Sequence, residues 1–362
     1  MLTNAMTPAT TQRSIFNPIA KEHALHSDRE PTRRRARRSA KRWIVLMLLL
    51  LLAIFGLEVY RVTAGPNWHV VVPDQVFRSA QLTETELTEA IDRFGLKSVI
   101  NLRGECPETD WYQWEQSTLQ RCGVAMYNVN LSTYEPPSPI ELNKLTDYLM
   151  NCPKPVLIHC RRGSDRTSLA SAVAQILLSE TTIANAKKQL SLRFGHMPFG
   201  KVQFLDEAFE DYNDWLAQKS WQHDPSHWVQ FIRADYRPGP YWALIEPLEV
   251  PKQLQVGQWG QARFRVHNRS HRPWHFRQAA HVGIHLHYYL KRQSDQTFTA
   301  GGGAGYFDHV VPPGGSLELN LAIAPQRQAG TYDFFVDLAD AQVCYFFMVD
   351  SPPFQTTVKV VP

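Results

Sequence analysis

Residues Val156 to Thr167 read VLIHCRRGSDRT. The short apolar run Val156-Leu157-Ile158 is what a parallel strand covered on both faces requires. Cys160 therefore leaves the sheet at its carboxyl edge, and Arg166 follows six positions later, where a helix continuing through LASAVAQILLSE should begin. A loop of this length between strand and helix can fold its backbone N–H groups into a ring around a phosphate, with Cys160 beneath the phosphorus. A free thiol with a pKa of about 8.5 is a weak nucleophile at neutral pH, and a helix N-terminus with adjacent cations is what lowers it. Gly163 is expected to let the backbone approach the anion closely. Arg166 offers a planar fork to two phosphoryl oxygens. Thr167 can hydrogen-bond the sulfur as a leaving group, Ser164 belongs to the phosphate-binding ring, and Ser168 could cap the helix.

The string resembles the loop of the cysteine-dependent protein phosphatase superfamily, specifically its compact dual-specificity branch, which reads His-Cys-x5-Arg followed by Ser or Thr. His159, Cys160, Gly163, Arg166 and Thr167 match every fixed position. Upstream, VFRSAQLTETEL and FGLKSVINLRGE also look like the opening of bacterial and fungal members of that branch. The resemblance covers about residues 68 to 217. It implies two-step phosphomonoester hydrolysis without a cofactor or metal, the loop supplying the charge stabilisation a metal would otherwise give.

The resemblance also implies an acidic residue between the third strand and the next helix to protonate the leaving oxygen. That loop reads LSTYEPPSP, and its one carboxylate is Glu135. A carboxyl group beside a dianion and shielded from water tends to hold its proton, which suits the role; a solvated turn before two prolines is the other reading. Asp165 is a second candidate, since some lipid-directed relatives carry Asp before the arginine. An aspartate in the first turn of a helix is equally favoured by the dipole and could only brace the loop. Arg161 and Arg162 occupy the variable positions after the cysteine. Pointed at the substrate they favour a multiply anionic one such as a phosphoinositide-like or phospholipid head group, and pointed away they are a solvated face, so a phosphorylated protein and an anionic lipid or small-molecule phosphate both stay open as partners.

The chain has 362 residues, room for two domains, with 44% apolar and 20% charged residues and a net charge of +4 that is too small to argue for nucleic acid. The charge is unevenly placed. Arg33, Arg34, Arg35, Arg37, Arg38, Lys41 and Arg42 abut an uninterrupted apolar run from Trp43 to Leu57. Residues 43–60 are read as a transmembrane signal anchor preceded by a structureless, basic cytoplasmic segment, 1–42. The basic flank should stay cytoplasmic, which places the rest beyond a membrane, as in the periplasm of a bacterium. A cleaved signal peptide is the alternative, because Val62-Thr63-Ala64 before Gly65 fits a small-residue cleavage site.

Residues 66–235 alternate strands and helices, which predicts an α/β domain with a central, mostly parallel sheet flanked by helices. The expected order is strand VFRSAQ, helix ETELTEAIDRFG, strand KSVINLR, helix ETDWYQWEQSTLQRCG, strand VAMYNVNL, helix IELNKLTDYLMN and strand PVLIHC, with helices near 167–180, 183–194 and 202–220. A break comes at Tyr236-Arg-Pro-Gly-Pro240. From 241 to 362 short alternating runs (ARFRVHN, HVGIHLHYYL, SLELNLAIAP, TYDFFVDL, TTVKVV) predict an antiparallel β-sandwich. Asn268 to Trp274 and Gly330-Thr331-Tyr332 resemble immunoglobulin-like accessory domains, which suggests a protein partner for this part. Gly301 to Gly303 with Gly305 read as a loop.

Five cysteines are present. Cys106 and Cys122 bracket a predicted helix, so they would stand roughly 20 Å apart and no bridge is expected between them. Seven of 14 histidines fall between His267 and His309. His281, His285 and His287 should share one strand face, a pattern compatible with a metal but more simply a solvated sheet face. A catalytically impaired phosphate-binding or scaffold protein at the membrane is the alternative to an enzyme, and a sulfurtransferase a third, although it would not require Arg166.

Overall fold

The computed structural model describes residues 30–63, 65–197 and 199–362, with side chains from 41 onward apart from that of 63. The chain divides into a unit ending at Glu58 and one from Val59 to Pro362.

Helix α1 spans Glu30–Thr63. It begins inside the segment expected to lack structure, so 30–42 is helical, while 1–29 lies outside the described residues. Arginine, lysine and alanine are good helix formers, and the basic block extends the apolar helix without a break. The stretch Lys41–Val62 has a mean hydropathy of 2.5 and is long and apolar enough to cross a membrane.

In the second unit a mixed five-stranded sheet is built from β1 (His69–Val72), β2 (Val76–Ser79), β3 (Ser98–Asn101), β4 (Ala125–Asn128) and β5 (Val156–His159), in the order β1-β2-β5-β3-β4. β5 is central and parallel to both neighbours, and only β1, which the sequence did not announce, runs antiparallel. Val156 and Ile158 face one core with α4 (Pro139–Asn151), α5 (Asp165–Leu178) and α7 (Phe204–Lys219). Leu157 faces the other with α2 (Glu84–Phe94) and α3 (Asp110–Arg121). An apolar run on β5 is thus required because both faces are covered. The helix ends follow local chemistry. Thr83 and Glu86 close a capping box on α2, and Gly95 ends it in the left-handed region.

Two expectations change here. The helix near 183–194 is broken into α6 (Ile183–Ala186) and two single 3₁₀ turns at Lys187–Gln189 and Leu192–Phe194, which carry Gln189 and Phe194 to a buried arginine described below. A further helix, α8 (Pro225–Gln230), and a wide turn at Phe231–Asp235 close the domain through Trp228, Phe231 and Tyr236.

From Ala243 the chain is all-β. One sheet orders β11 (Phe298–Ala304), β10 (Ile284–Arg292), β14 (Gly330–Asp340), β15 (Phe354–Val361) and β7 (Gln253–Gln255). The other contains β13 (Ser316–Ile323), β8 (Gly260–Asn268) and β6 (Ala243–Glu249), with β9 (Trp274–Phe276) and β12 (His309–Val311) as a separate pair. All pairs are antiparallel except β7 with β15. Both sheets bury one core that includes Phe264, Trp274, Leu286, Tyr288 and Phe334. Tyr332 donates its hydroxyl to the Gln328 carbonyl at 2.9 Å, tying the start of β14 to the preceding turn.

The glycine tract 301–303 is strand β11, not a loop: a Cβ on Gly302 would stand 2.9 Å from the Tyr288 ring, so the missing side chain lets that ring lie against the strand. The histidine face also differs. His281 precedes the strand, and His285 is fully buried with Nε2 2.9 Å from the Arg277 carbonyl. Among the described residues no three His, Cys, Asp or Glu side chains are grouped to hold a metal.

Candidate active site

Cys160 is 3% exposed and opens the turn between β5 and α5. What shapes this turn is where its carbonyls go. The Gly163 oxygen accepts from Arg78 Nη2 at 2.6 Å and from Asn67 Nδ2 at 3.1 Å. Asn67 also reaches the Arg162 oxygen at 3.3 Å, the Gln81 amide reaches the Arg161 oxygen at 3.4 Å, and Arg78 reaches the Ser164 oxygen at 3.4 Å. With these carbonyls bonded to Arg78, Asn67 and Gln81, the amides of residues 161–166 are left free, and among the described residues none of them donates to another protein group. Free amides at the N-terminus of α5 are what the binding of an anion would require.

Arg78 is fully buried. Besides the loop carbonyls it bonds Ser168 Oγ at 3.0 Å and Gln189 Oε1 at 2.8 Å, and its guanidinium lies 4.2 Å from the Phe194 ring centroid. Burial pulls its pKa down to about 9, and the Cys160 charge works in the opposite direction. Ser168, expected as a cap, is instead a partner of this cation. Gly163 has φ +67°, and a Cβ there would meet Ala80 N at 2.5 Å and the Ser79 carbonyl carbon at 2.6 Å. The glycine is needed first for the contact between loop and β2, a reason distinct from closeness to the anion.

Arg166 donates Nη1 to the Leu131 carbonyl at 3.2 Å and to the Leu102 carbonyl at 3.4 Å. Among the described residues its buried Nε and the buried Thr167 Oγ1 have no hydrogen-bond partner. Arg161 and Arg162 are exposed. Arg103 joins them: its guanidinium stands 3.5 Å from the Trp111 ring centroid and bonds Gln81 Oε1. Burial, and after it the charges of Arg166 and Arg161, lower the Arg103 pKa, so three arginines crowd one rim. Gln81 also donates to Glu115 Oε2 at 3.0 Å, and Glu115 Oε1 lies 2.7 Å from His159 Nε2, both side chains being buried.

The two candidate acids differ in their surroundings. Asp165 Oδ1 is 3.0 Å from His196 Nδ1, whose Nε2 is 2.8 Å from Asp206 Oδ2. Burial opposes the charge on His196, but the bonds to Asp165 and Asp206 outweigh it and raise its pKa to about 9. Glu135 is half-buried, and its charge, after burial, pushes up the thiol of Cys344 in the sandwich. Sequence reasoning missed Asn67, Arg78, Arg103, Glu115 and His196. An arginine inside the otherwise apolar strand VFRS was the one available signal; Asn67 and His196 carried none. All five cysteines are free.

Residues 59–206 match the model of a family described as DSP-PTPase phosphatase fused to NAD+ kinase. Among solved structures, the catalytic core of the PP-IP phosphatase SIW14 from S. cerevisiae is 23% identical, with a TM-score of 0.33, over 42% of this chain and 92% of that one. PTPMT1 is 17% identical, with a TM-score of 0.33, over 42% of this chain and 99% of that one. TpbA from P. aeruginosa is 18% identical, with a TM-score of 0.33, over 41% and 87% respectively. No curated protein matches the chain.

Two outcomes follow from this geometry. Gly163→Ala should lose about 2 kcal/mol or more of stability together with anion binding, because strain at positive φ and the clash with Ala80 act at once; thermal midpoints with and without phosphate measure both. The His196 contribution should be pH-dependent. Its folded pKa, about 9, lies above the unfolded value of about 6.5, so the stabilisation is complete below pH ~6.5 and is lost as pH rises through 9. Denaturant midpoints should therefore fall across that window, and His196→Gln should abolish this slope and be less stable by about 2 kcal/mol at pH 6.

Proposed function

We propose that the chain hydrolyses phosphomonoesters through a cysteinyl-phosphate, a reading supported by the match of residues 59–206 to a DSP-PTPase phosphatase family model. The observation that carries this reading is the tethering of the loop carbonyls, which leaves, among the described residues, free amides at 161–166 beside a buried Cys160 and unpartnered polar atoms on Arg166 and Thr167. The Cys160 thiolate attacks phosphorus in line and the bond to the leaving oxygen breaks. The loop amides of Arg161 to Arg166 and the Arg166 fork hold the equatorial oxygens, where charge spreads in the transition state. Gly163 and Ser164 shape this ring, and Thr167 serves the departing sulfur. A carboxylic acid gives its proton to the leaving oxygen; water then attacks phosphorus, the carboxylate takes the water's proton, and the thiolate is released with inorganic phosphate.

Glu135 is the acid in this reading, because Asp165 spends its carboxylate on His196 and so braces the loop. Catalytic hydrogen bonds are often long before substrate binds, so Glu135 need not touch Cys160 beforehand. The rim of Arg103, Arg161 and Arg166 favours a small substrate with several negative charges, such as a phosphorylated lipid head group, over a singly phosphorylated protein side chain. Arg162 extends the same cationic surface.

The apolar stretch Lys41–Val62 is read as a signal anchor holding the domain beyond the inner membrane of a bacterium. The hydroxyl tether of Tyr332 at the head of β14 supports an immunoglobulin-like sandwich, since such domains carry a tyrosine at this corner.

Cys160→Ser should remove turnover of an aryl phosphate by about 10³-fold or more, and Arg166→Lys, which keeps the charge and loses the fork, by about 10²-fold; turnover that survives Cys160→Ser refutes the mechanism. For topology, a reporter active only in the cytoplasm and fused after residue 65 should be silent, and a positive signal would reverse the orientation.

A further inference from the structure

The loop 131–138, which carries Glu135, is held at several points. Arg166 takes the Leu131 carbonyl, the Asn130 amide donates to Glu141 Oε2 at 2.6 Å, and the buried Tyr236 hydroxyl donates to the Pro137 carbonyl at 3.1 Å. The loop then runs directly into α4. The Leu142 amide makes the first intrahelical bond, to the Ser138 carbonyl, which leaves the amides of Ile140 and Glu141 and none on Pro139. Ser138 answers one, its Oγ accepting from Glu141 at 3.2 Å. The other, on Ile140, donates across the domain boundary to Asp350 Oδ2 at 2.8 Å.

Asp350 is built for this contact. It stands at φ +66°, a conformation costly for most side chains. The turn that holds it there is anchored on both sides: Phe346 and Val349 are fully buried in the sandwich core, and Ser351 Oγ accepts from the Ala243 amide at 3.0 Å. Phe346 packs on Tyr241 and Trp274 at centroid distances of 5.5 and 5.8 Å. The carboxylate therefore reaches α4 on a rigid support and also meets the favourable end of its dipole. The boundary itself is firm. Arg272 bonds Glu207 at 2.8 Å and Asp211 at 3.1 Å on α7, and Phe204 of the same helix packs against the sandwich core.

We propose that the sandwich is part of the leaving-group machinery, and that Asp350 is the positioning residue through which it fixes the loop carrying Glu135. This rests on the phosphatase reading and adds to it a role for the second domain. Loop placement matters most where the departing group needs a proton, since a misplaced acid costs rate only on such substrates.

Two substitutions in the full chain separate the hydrogen bond from the backbone strain. Asp350→Gly suits the positive φ and removes the acceptor, whereas Asp350→Asn keeps an acceptor oxygen and also tolerates that φ. In Asp350→Gly, amide exchange at Ile140 and across 131–141 should quicken about tenfold, the loss expected for one charge-assisted hydrogen bond. Its kcat should fall about tenfold on an alkyl phosphate and less than about twofold on an aryl phosphate with an acidic leaving group. Asp350→Asn should stay within about twofold of the unaltered chain in every measurement. Unchanged exchange in Asp350→Gly, or equal losses on the two substrates, overturns the proposal alone. An unaltered chain that turns over neither substrate overturns the phosphatase reading and this proposal with it.

Discussion

The structure of the site depends on one buried cation. Arg78 rises from β2 into a space without solvent, where a guanidinium is tolerated only if its donors are taken up. Its two terminal nitrogens are taken up by the loop carbonyls of Gly163 and Ser164, by Ser168 on α5 and by Gln189, with Phe194 over its face, while among the described residues its Nε has no partner. Each partner comes from a different piece of chain. The same bonds that satisfy Arg78 therefore tie up the loop carbonyls beside Cys160 and hold the chain after Ala186, through Gln189, against the loop. Truncating such a side chain would strand several acceptors at once, a loss of about 3–5 kcal/mol by analogy with other buried charges.

A second electrostatic brace works on the opposite flank of the loop. His196 sits between Asp165 and Asp206 as an imidazolium whose charge is compensated from both sides. Compensation is what distinguishes these inner charges from the rim. Arg103, Arg161 and Arg166 repel one another, and among the described residues none of the three forms an ion pair with a carboxylate. Cations left unpaired by the protein have their best partner in an anionic ligand.

Much of this was legible in the sequence, for identifiable reasons. The string VLIHCRRGSDRT is local: strand, turn and helix follow one another, so spacing alone reports the geometry, and β5, α5 and the place of Cys160 emerge as the pattern requires. The helices α2 and α4 were equally readable, because their caps lie in adjacent residues. What stayed hidden is non-local. Arg78 is 85 positions from Gly163, and Asn67 is 96 from it. No periodicity links them. Strand β11 was misread because glycine normally weakens strands, and only the Tyr288 ring across the pair explains its presence. The exposed-face reading of His285 failed for a similar reason, since the chain near Arg277 covers it.

The seam between the two domains of the second unit shows how composition can mislead. Tyr236-Arg-Pro-Gly-Pro240 has the proline and glycine content of a flexible linker, yet Tyr236 and the following Tyr241 are nearly inaccessible, and the Pro240 carbonyl accepts from Trp274 Nε1 at 2.5 Å. Proline here restricts the chain to one path between two packed surfaces and lowers the entropy lost on docking. Arg272 adds charge to the seam. Burial raises the pKa of both Glu207 and Asp211, and Arg272 opposes that rise, so the three groups are better paired than separated. A sandwich attached in this way has lost the orientational freedom of a tethered recognition module. Its position relative to α4 and α7 is set by side chains of both domains, Asp350 against Ile140 and Arg272 against Glu207 and Asp211.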